Sequence, residues 1–524
     1  MHPFFEFDNI NPVDKFPMKC EMVTQEDVFH SMESAEKIGR KAYDELITNL
    51  RADLLMAQRA LNETSQSVVI TIGGVDGAGK GEVIQILNEW LDPRGLDTHS
   101  FWDMAANATD RPYQWRYWQS LPSRGRIAIW FGGMYTDPID KYVHEKRGTE
   151  WVSEISKDIR FFENMVLKDG TIQVKIWMHL TKGAQHRRLK DLYENPQEHW
   201  RAMSDDWKHH DLYEQFSEAA EQLILFTRSR EAPWHIVDAS IKEWRNLTVG
   251  RLLHDAMIQA IKLEKSARPE KKAQITIPKV EKNFLAEVDL EQHLNTEVYE
   301  QALITWQGRL HRLFWEAYDR NISTVLVFEG WDAGGKGSAI KRVTAAIDAR
   351  LYRIVCVAAP TPEESNYHYL WRFWNPLPRA GRITIFDRSW YGRVLVERIE
   401  KFAKEHEWKR AYEEINEFER QLTDHGTVVC KFWLHINQEK QMERFKKRLK
   451  IPYKRHKITD EDWRNREKWN QYESAVNNMI GLTNKQSAPW TIVAGNNKKF
   501  ARIQILQSIC QQLEGALGGQ GEDH

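Results

Sequence analysis

The 524-residue chain carries one pattern twice, at a constant offset of 256 residues and almost without gaps. Trp115–Pro122 lies over Trp371–Pro378, Arg126–Ile129 over Arg382–Ile385, and Ala232–Trp234 over Ala488–Trp490, while His179 falls on His435. A repeat of this length is a duplicated domain, well beyond a solenoid period, and the chain is long enough for two full cores. Between the halves, Lys265–Ala273 is polar, charged and interrupted by a proline, as a linker is. The expected division is therefore a first domain over 1–264, a linker over 265–283 and a second domain over 284–524.

Each half contains a glycine-rich loop, Gly73–Gly81 and Glu329–Gly337, with Lys80 and Lys336 in equivalent places. Each loop follows a β-branched apolar run (Ser67–Ile72, Ser323–Phe328) and precedes a segment of helical periodicity. Strand, loop and helix in that order make a P-loop, whose backbone N–H groups and helix N-terminus face an anion. Further short strands are expected at 353–357, 382–386, 428–433 and 490–493, alternating with helices, the first of which spans about 299–318. This order predicts an α/β fold: two tandem P-loop kinase-like domains, each a doubly wound parallel sheet with flanking helices and a helical lid. Ligands of such sheets sit at the carboxyl ends of the strands.

The second half carries the denser chemistry. Gly330, Gly334, Gly335 and Gly337 shape its loop, and Lys336 is placed to reach terminal phosphates. Gly337 stands where Ser or Thr usually holds Mg²⁺, so Asp332 inside the loop is the candidate replacement. A second carboxylate, Asp387, ends the strand at 382–386, and Mg²⁺ favours one or two carboxylates completed by water and phosphate oxygens. Arg388 and Arg393 follow directly and are candidate clamps on a transferring phosphoryl group. Residues 444–457 then hold eight Lys or Arg and no acid. Lys446, Lys447, Arg448 and Lys450 in this run are candidates for a phosphate-binding lid, set against the plainer reading of a solvated helix face. His435 and the tryptophans Trp371, Trp374, Trp390 and Trp433 read as core or lid packing.

The first half is a degraded copy. Asp76 and Lys80 are kept, but Phe131, Gly132 and Asp137 stand at the registers of Asp387, Arg388 and Arg393. Glu363 and Glu364, candidate nucleotide contacts, become Asn107 and Ala108, and residues 188–201 balance three bases with three acids. The first domain is expected to be inactive, a packing partner or an anion-binding copy.

Net charge is −1, so the molecule as a whole makes no electrostatic case for nucleic acid or membrane binding. The four cysteines have neither metal nor disulfide spacing, no stretch has membrane-spanning length and no signal peptide is recognisable, which points to the cytoplasm. The loop pattern G-x-D-x-x-G-K-G, the strand end Asp387–Arg393 and the basic lid together resemble the polyphosphate kinase 2 family. The tandem arrangement is similar to that family's fused class. The resemblance implies a polyphosphate:AMP phosphotransferase activity, reversible and Mg²⁺-dependent, with inorganic polyphosphate and AMP or ADP as ligands. It would make Asp332, Lys336, Asp387 and Arg388 catalytic and place Lys446, Lys447, Arg448 and Lys450 on the lid or polyphosphate track. It also implies self-association of single-domain relatives, and a homo-oligomer of this chain is compatible with it. The alternatives are an ATP-dependent nucleoside-monophosphate kinase of the thymidylate kinase type and a non-catalytic polyphosphate-binding protein.

Overall fold

The computed structural model describes residues 28–29, 34–101, 110–197, 199, 206–265, 275–452 and 458–518. Residues 266–274 of the expected linker, Asn107 and Ala108, and residues 453–457 of the basic run lie outside the described residues.

Five strands form in each half: β1 (Ser67–Gly74), β2 (Leu96–Ser100), β3 (Ile127–Phe131), β4 (Thr171–His179) and β5 (Trp234–Asp238), then β6 (Thr324–Gly330), β7 (Tyr352–Cys356), β8 (Ile383–Asp387), β9 (Val428–His435) and β10 (Trp490–Ala494). All pairings are parallel, in the order β2-β3-β1-β4-β5 in one sheet and β7-β8-β6-β9-β10 in the other. The sequence repeat is thus a repeat of topology. In each sheet the P-loop strand is central, with the chain crossing to opposite sides of it, and that reversal opens a crevice at the strand C-termini. No helix among the described residues is long and apolar enough to cross a membrane.

Burial on both faces explains the β-branched runs, since a parallel central strand has no solvent side. On one face of the second sheet, Leu326, Phe328, Phe432 and Leu434 pack against the helices Thr296–Asp319, Lys336–Thr344 and Lys498–Gly518 through Leu310, Phe314, Ile340, Ile505 and Ile509. Alternate residues face the other way. Lys431 is fully buried there, and its ammonium reaches Glu419 Oε2 (2.7 Å), the Tyr391 hydroxyl (2.9 Å) and the Thr483 carbonyl (2.8 Å). The first sheet repeats this group at the same registers: Lys175 bonds Glu163 Oε1 (3.0 Å) and the Thr227 carbonyl (2.6 Å), and the Tyr135 hydroxyl bonds Glu163. A buried charge survives only when paired and hydrogen-bonded, as both lysines are.

The contacts divide the chain into two compact units, and among the described residues 110–120 of the first repeat belong to the second unit. In the described part of that segment, Trp118 stacks on Trp374 (centroids 5.7 Å, interplanar 14°), Trp115 Nε1 donates to the Trp374 carbonyl (3.0 Å), and Gln119 bonds Asn375. Trp118 and Trp374 are register equivalents, as are Gln119 and Asn375. Nothing in the linear sequence announced this exchange.

Candidate active site

The second P-loop begins where β6 runs out. Gly330 has φ +144°, and a Cβ there would lie 2.6 Å from the Leu434 carbonyl oxygen, so only glycine fits. The loop turns back over itself, and Lys336 Nζ donates to the carbonyls of Gly330 (2.7 Å) and Trp331 (3.3 Å). Burial, and then the neighbouring Arg388 guanidinium, hold the Lys336 pKa below that of a free lysine.

Parallel pairing sets Phe328 of β6 opposite Asp387 of β8, which brings the second carboxylate alongside the loop. A Cβ on Gly337 would lie 4.0 Å from Asp387 Oδ2, so the residue that replaces the usual Ser or Thr faces that carboxylate. Arg388 then adopts φ +64°, left-handed for a side-chain-bearing residue, with its N–H bonded to the Phe328 carbonyl (3.0 Å). This conformation carries strain of roughly 1–2 kcal/mol. It aims Arg388 Nη2 at Asp332 Oδ1 (2.9 Å), while Asn465 Nδ2 donates to Asp332 Oδ2 (2.9 Å). Burial opposes the Arg388 charge, but Asp332, Glu329 and Glu461 outweigh it and raise its pKa. Asp332, Lys336, Asp387 and Arg388 therefore share one crevice at the strand ends.

Other expected residues lie differently. Arg393 pairs with Glu397 (3.0 Å) and stacks over the Tyr369 ring (4.4 Å). In the first domain the same i,i+4 pair persists with its signs exchanged, Asp137 to Lys141 at 3.2 Å, as a helix-stabilising pair permits and an anion clamp does not. Lys446, Lys447, Arg448 and Lys450 lie on the helix Gln438–Lys450, the three lysines exposed and Arg448 half-buried. Arg444, at the start of the same run, is buried and structural: it donates to the carbonyls of Ala333 (2.9 Å), Gly334 (2.8 Å), Gly495 (2.6 Å) and Asn496 (3.0 Å). Glu364 accepts from the Thr361 N–H (2.8 Å) and pairs with Arg372 (3.5 Å), and Glu363 is exposed beside it. His435 is the expected core histidine. Its Nδ1 accepts from Trp331 Nε1 (3.0 Å), and burial lowers its pKa to about 4.

Three residues escaped the sequence reading. Glu329, fully buried near the end of β6, accepts from the Ser389 hydroxyl (2.8 Å), and burial raises its pKa. Both become glycine in the first half (Gly73 and Gly133), vanishing together with Asp387 and Arg388; this shared loss was the available signal. Asn465 is the third, and His209 occupies its register.

In the first domain Asp76 meets Lys80 (3.1 Å) and His209 Nδ1 (2.6 Å). Burial opposes the Asp76 charge, but these two neighbours outweigh it and keep the carboxyl well below the usual range. Lys80 also donates to the carbonyls of Gly74 (2.8 Å) and Val75 (3.0 Å). Phe131 ends β3 and Gly132 follows it, and no carboxylate or guanidinium arises from those two positions.

A P-loop, two convergent carboxylates and a lysine–arginine pair at the C-terminal edge of a parallel sheet define a P-loop phosphotransferase. The model of the family described as polyphosphate kinase 2 matches residues 37–266 and again 293–519, and the chain belongs to that family. It is 42% identical over 495 residues to a polyphosphate:AMP phosphotransferase of Pseudomonas aeruginosa, covering 93% of this chain and 99% of the relative. A protein of the same name from Acinetobacter johnsonii is 37% identical, covering 89% of this chain and 96% of its own length. The crystal structure of a putative polyphosphate kinase 2 from P. aeruginosa superposes with a TM-score of 0.84 at 41% identity, covering 95% of this chain and all of the other.

Proposed function

We propose that the second domain moves a phosphoryl group between inorganic polyphosphate and AMP, giving ADP, reversibly and with Mg²⁺. The observation that carries this reading is the Asp332–Arg388 contact of 2.9 Å, which ties the P-loop to the residue directly after the strand-end carboxylate Asp387. Full-length similarity to polyphosphate:AMP phosphotransferases supports the choice of donor and acceptor.

Asp332 and Asp387 would hold the metal. Among the described residues no cluster of three or more His, Cys, Asp or Glu is arranged to do so alone, which suits an ion that takes the rest of its shell from water and phosphate. When bound, Mg²⁺ neutralises charge on the phosphate oxygens. Lys336 and Arg388 stabilise the equatorial oxygens of the transferring group, whose bond to the donor chain breaks as an AMP phosphate oxygen bonds in line. That oxygen belongs to a monoester with a second pKa of about 6, so at neutral pH it attacks already ionised. The carboxylates serve orientation more than proton removal.

The test is incubation with Mg²⁺ and AMP and either polyphosphate or ATP as donor. ADP appearing with polyphosphate, and not merely by AMP–ATP exchange, supports the reading. ADP formed only with ATP overturns it in favour of a nucleoside-monophosphate kinase.

A further inference from the structure

Two side chains one turn apart on the helix Asp460–Glu467 reach into the second crevice. Asn465 Nδ2 donates to Asp332 Oδ2 (2.9 Å), and Asn465 Oδ1 accepts from the Tyr472 hydroxyl (3.0 Å). Glu461 Oε1 lies 3.5 Å from Arg388 Nη1. Other contacts seat the helix on its neighbour Gln438–Lys450. Trp463 packs edge-on against Phe445 (centroids 5.2 Å), and Arg466 Nη1 donates to Gln441 Oε1 (3.0 Å) and to the Gln438 carbonyl (2.9 Å). The Glu461–Arg388 contact is therefore not what holds the helix in place.

The first domain keeps the seating contact. His209, at Asn465's register on the helix Asp206–Asp211, meets Asp76 Oδ2 (2.6 Å). Gly132, at Arg388's register, has no side chain for a carboxylate to meet. The contact with a guanidinium belongs to the second domain alone.

A guanidinium presents its terminal nitrogens as a fixed fork that matches two oxygens. At Arg388 one terminal nitrogen is on Asp332 and the other on Glu461, so a phosphoryl oxygen must displace one of them. The two contacts are unequal. The Asp332 side chain is 11% exposed, lies 2.9 Å from Arg388 and is held by Asn465, whereas the Glu461 side chain is 46% exposed and 3.5 Å away. Exposed ion pairs are weak, and a charge-assisted bond to a phosphate oxygen is stronger. Glu461 is the group that yields, and its carboxylate has water to turn into.

We propose that Glu461 is an internal competitor for the phosphate that Arg388 clamps: it occupies the outer nitrogen of the guanidinium in the empty crevice, and the substrate must displace it to bind. The inference rests on the role given to Arg388 in the transfer proposed above.

Glu461→Gln keeps the shape of the side chain and removes its charge, whereas Glu461→Asp keeps the charge and shortens the reach. Tripolyphosphate binding to the full chain is followed by calorimetry at fixed Mg²⁺, beside initial rates of ADP formation from polyphosphate and AMP. Both variants should bind tripolyphosphate about threefold more tightly, the scale of one exposed ion pair. The KM for polyphosphate should fall by the same factor, and the gain should fade at high salt. The sign is diagnostic, because cutting a contact that merely positioned Arg388 would weaken binding. Unchanged or weaker binding in Glu461→Gln overturns the proposal. So does tighter binding in Glu461→Gln alone, with wild-type affinity in Glu461→Asp, since the effect would then come from the general field of a charge and not from contact with Arg388. A wild-type protein that forms no ADP from polyphosphate refutes the donor, whereas tighter tripolyphosphate binding by both variants still upholds the internal competitor.

Discussion

Two crevices with one topology hold the same Asp-x-x-x-Lys core in opposite states. In the second, Asp332 is bonded from outside its loop by Arg388 and Asn465, and among the described residues the lysine bonds backbone carbonyls only. In the first, the lysine bonds the aspartate itself, and His209 closes the other oxygen. What the degraded copy retains identifies what the fold requires. The buried lysine–glutamate–tyrosine group persists in both, as does the glutamine that donates to the loop aspartate's carbonyl at 3.1 Å, Gln185 to Asp76 and Gln441 to Asp332. What it lacks identifies what, on our reading, the reaction requires: Glu329, Asp387, Arg388 and Ser389 are absent together.

The largest expected effect tests the division of labour. Asp387→Asn and Arg388→Ala should each lower ADP formation by about 10²–10³-fold or more, the scale of losing one charge-stabilising group. Lys80→Ala should leave the rate within about twofold. If Lys80→Ala abolishes turnover in a folded protein, the two crevices are not functionally distinct.

Truncation comes next. Residues 284–524 expressed alone lack the 110–120 segment and leave Trp374 uncovered. Loss of a buried tryptophan contact costs about 3–5 kcal/mol, so the melting temperature should fall by roughly 10 °C. Sedimentation should show self-association as Trp374 seeks a second copy. A monomer as active and heat-stable as the whole chain would remove the packing role of the first repeat.

Glu329→Gln keeps an acceptor for Ser389 and removes a charge beside Lys336 and Arg388. Its raised folded pKa means that stability is lost as pH rises from the unfolded glutamate value, 4.5, through the folded one. The variant should therefore melt higher than wild type at neutral pH, and the two should converge below pH 4.5. Its kcat should fall about tenfold while both KM values stay near wild type. A variant of unchanged kcat would confine the Glu329–Ser389 bond to packing.

The smallest effect is on the first domain's stability. Asp76 has a depressed folded pKa, so its contribution is present at neutral pH and lost on acidification. Lys80→Ala should cost about 1 kcal/mol at pH 7, read from denaturant melts, and the cost should shrink only as pH falls below the ordinary aspartate value of 3.8. A cost that stays unchanged well below that value would mean that the Lys80–Asp76 pair contributes nothing.

Most of the architecture was readable because repeat, strand runs and glycine loops are local patterns. Ser323–Phe328 and 428–433 were found as strands to within a few residues of β6 and β9, and loop and strand-end motifs singled out four residues, Asp332, Lys336, Asp387 and Arg388, that share one crevice. The remainder depends on tertiary placement. Arg444 and Lys446 sit in one basic run, yet one is buried under the P-loop and the other is exposed, because helix phase alone decides between them. Glu329 read as the first residue of the glycine loop, whereas β6 extends through it and buries it. Trp118 gave no sign that its partner was its own duplicate.

The backbone at Arg388 gives the two domains a direction in time. Gly132 also has a positive φ, +82°, which a glycine adopts without cost, whereas Arg388 holds its positive φ under strain. Replacing the arginine by glycine is therefore a downhill step for folding, and the reverse step is uphill. A duplicated copy released from selection on turnover would slide towards glycine and stay there, as a ratchet does. The arginine in the second copy is then a record of continuing selection, written in a torsion angle.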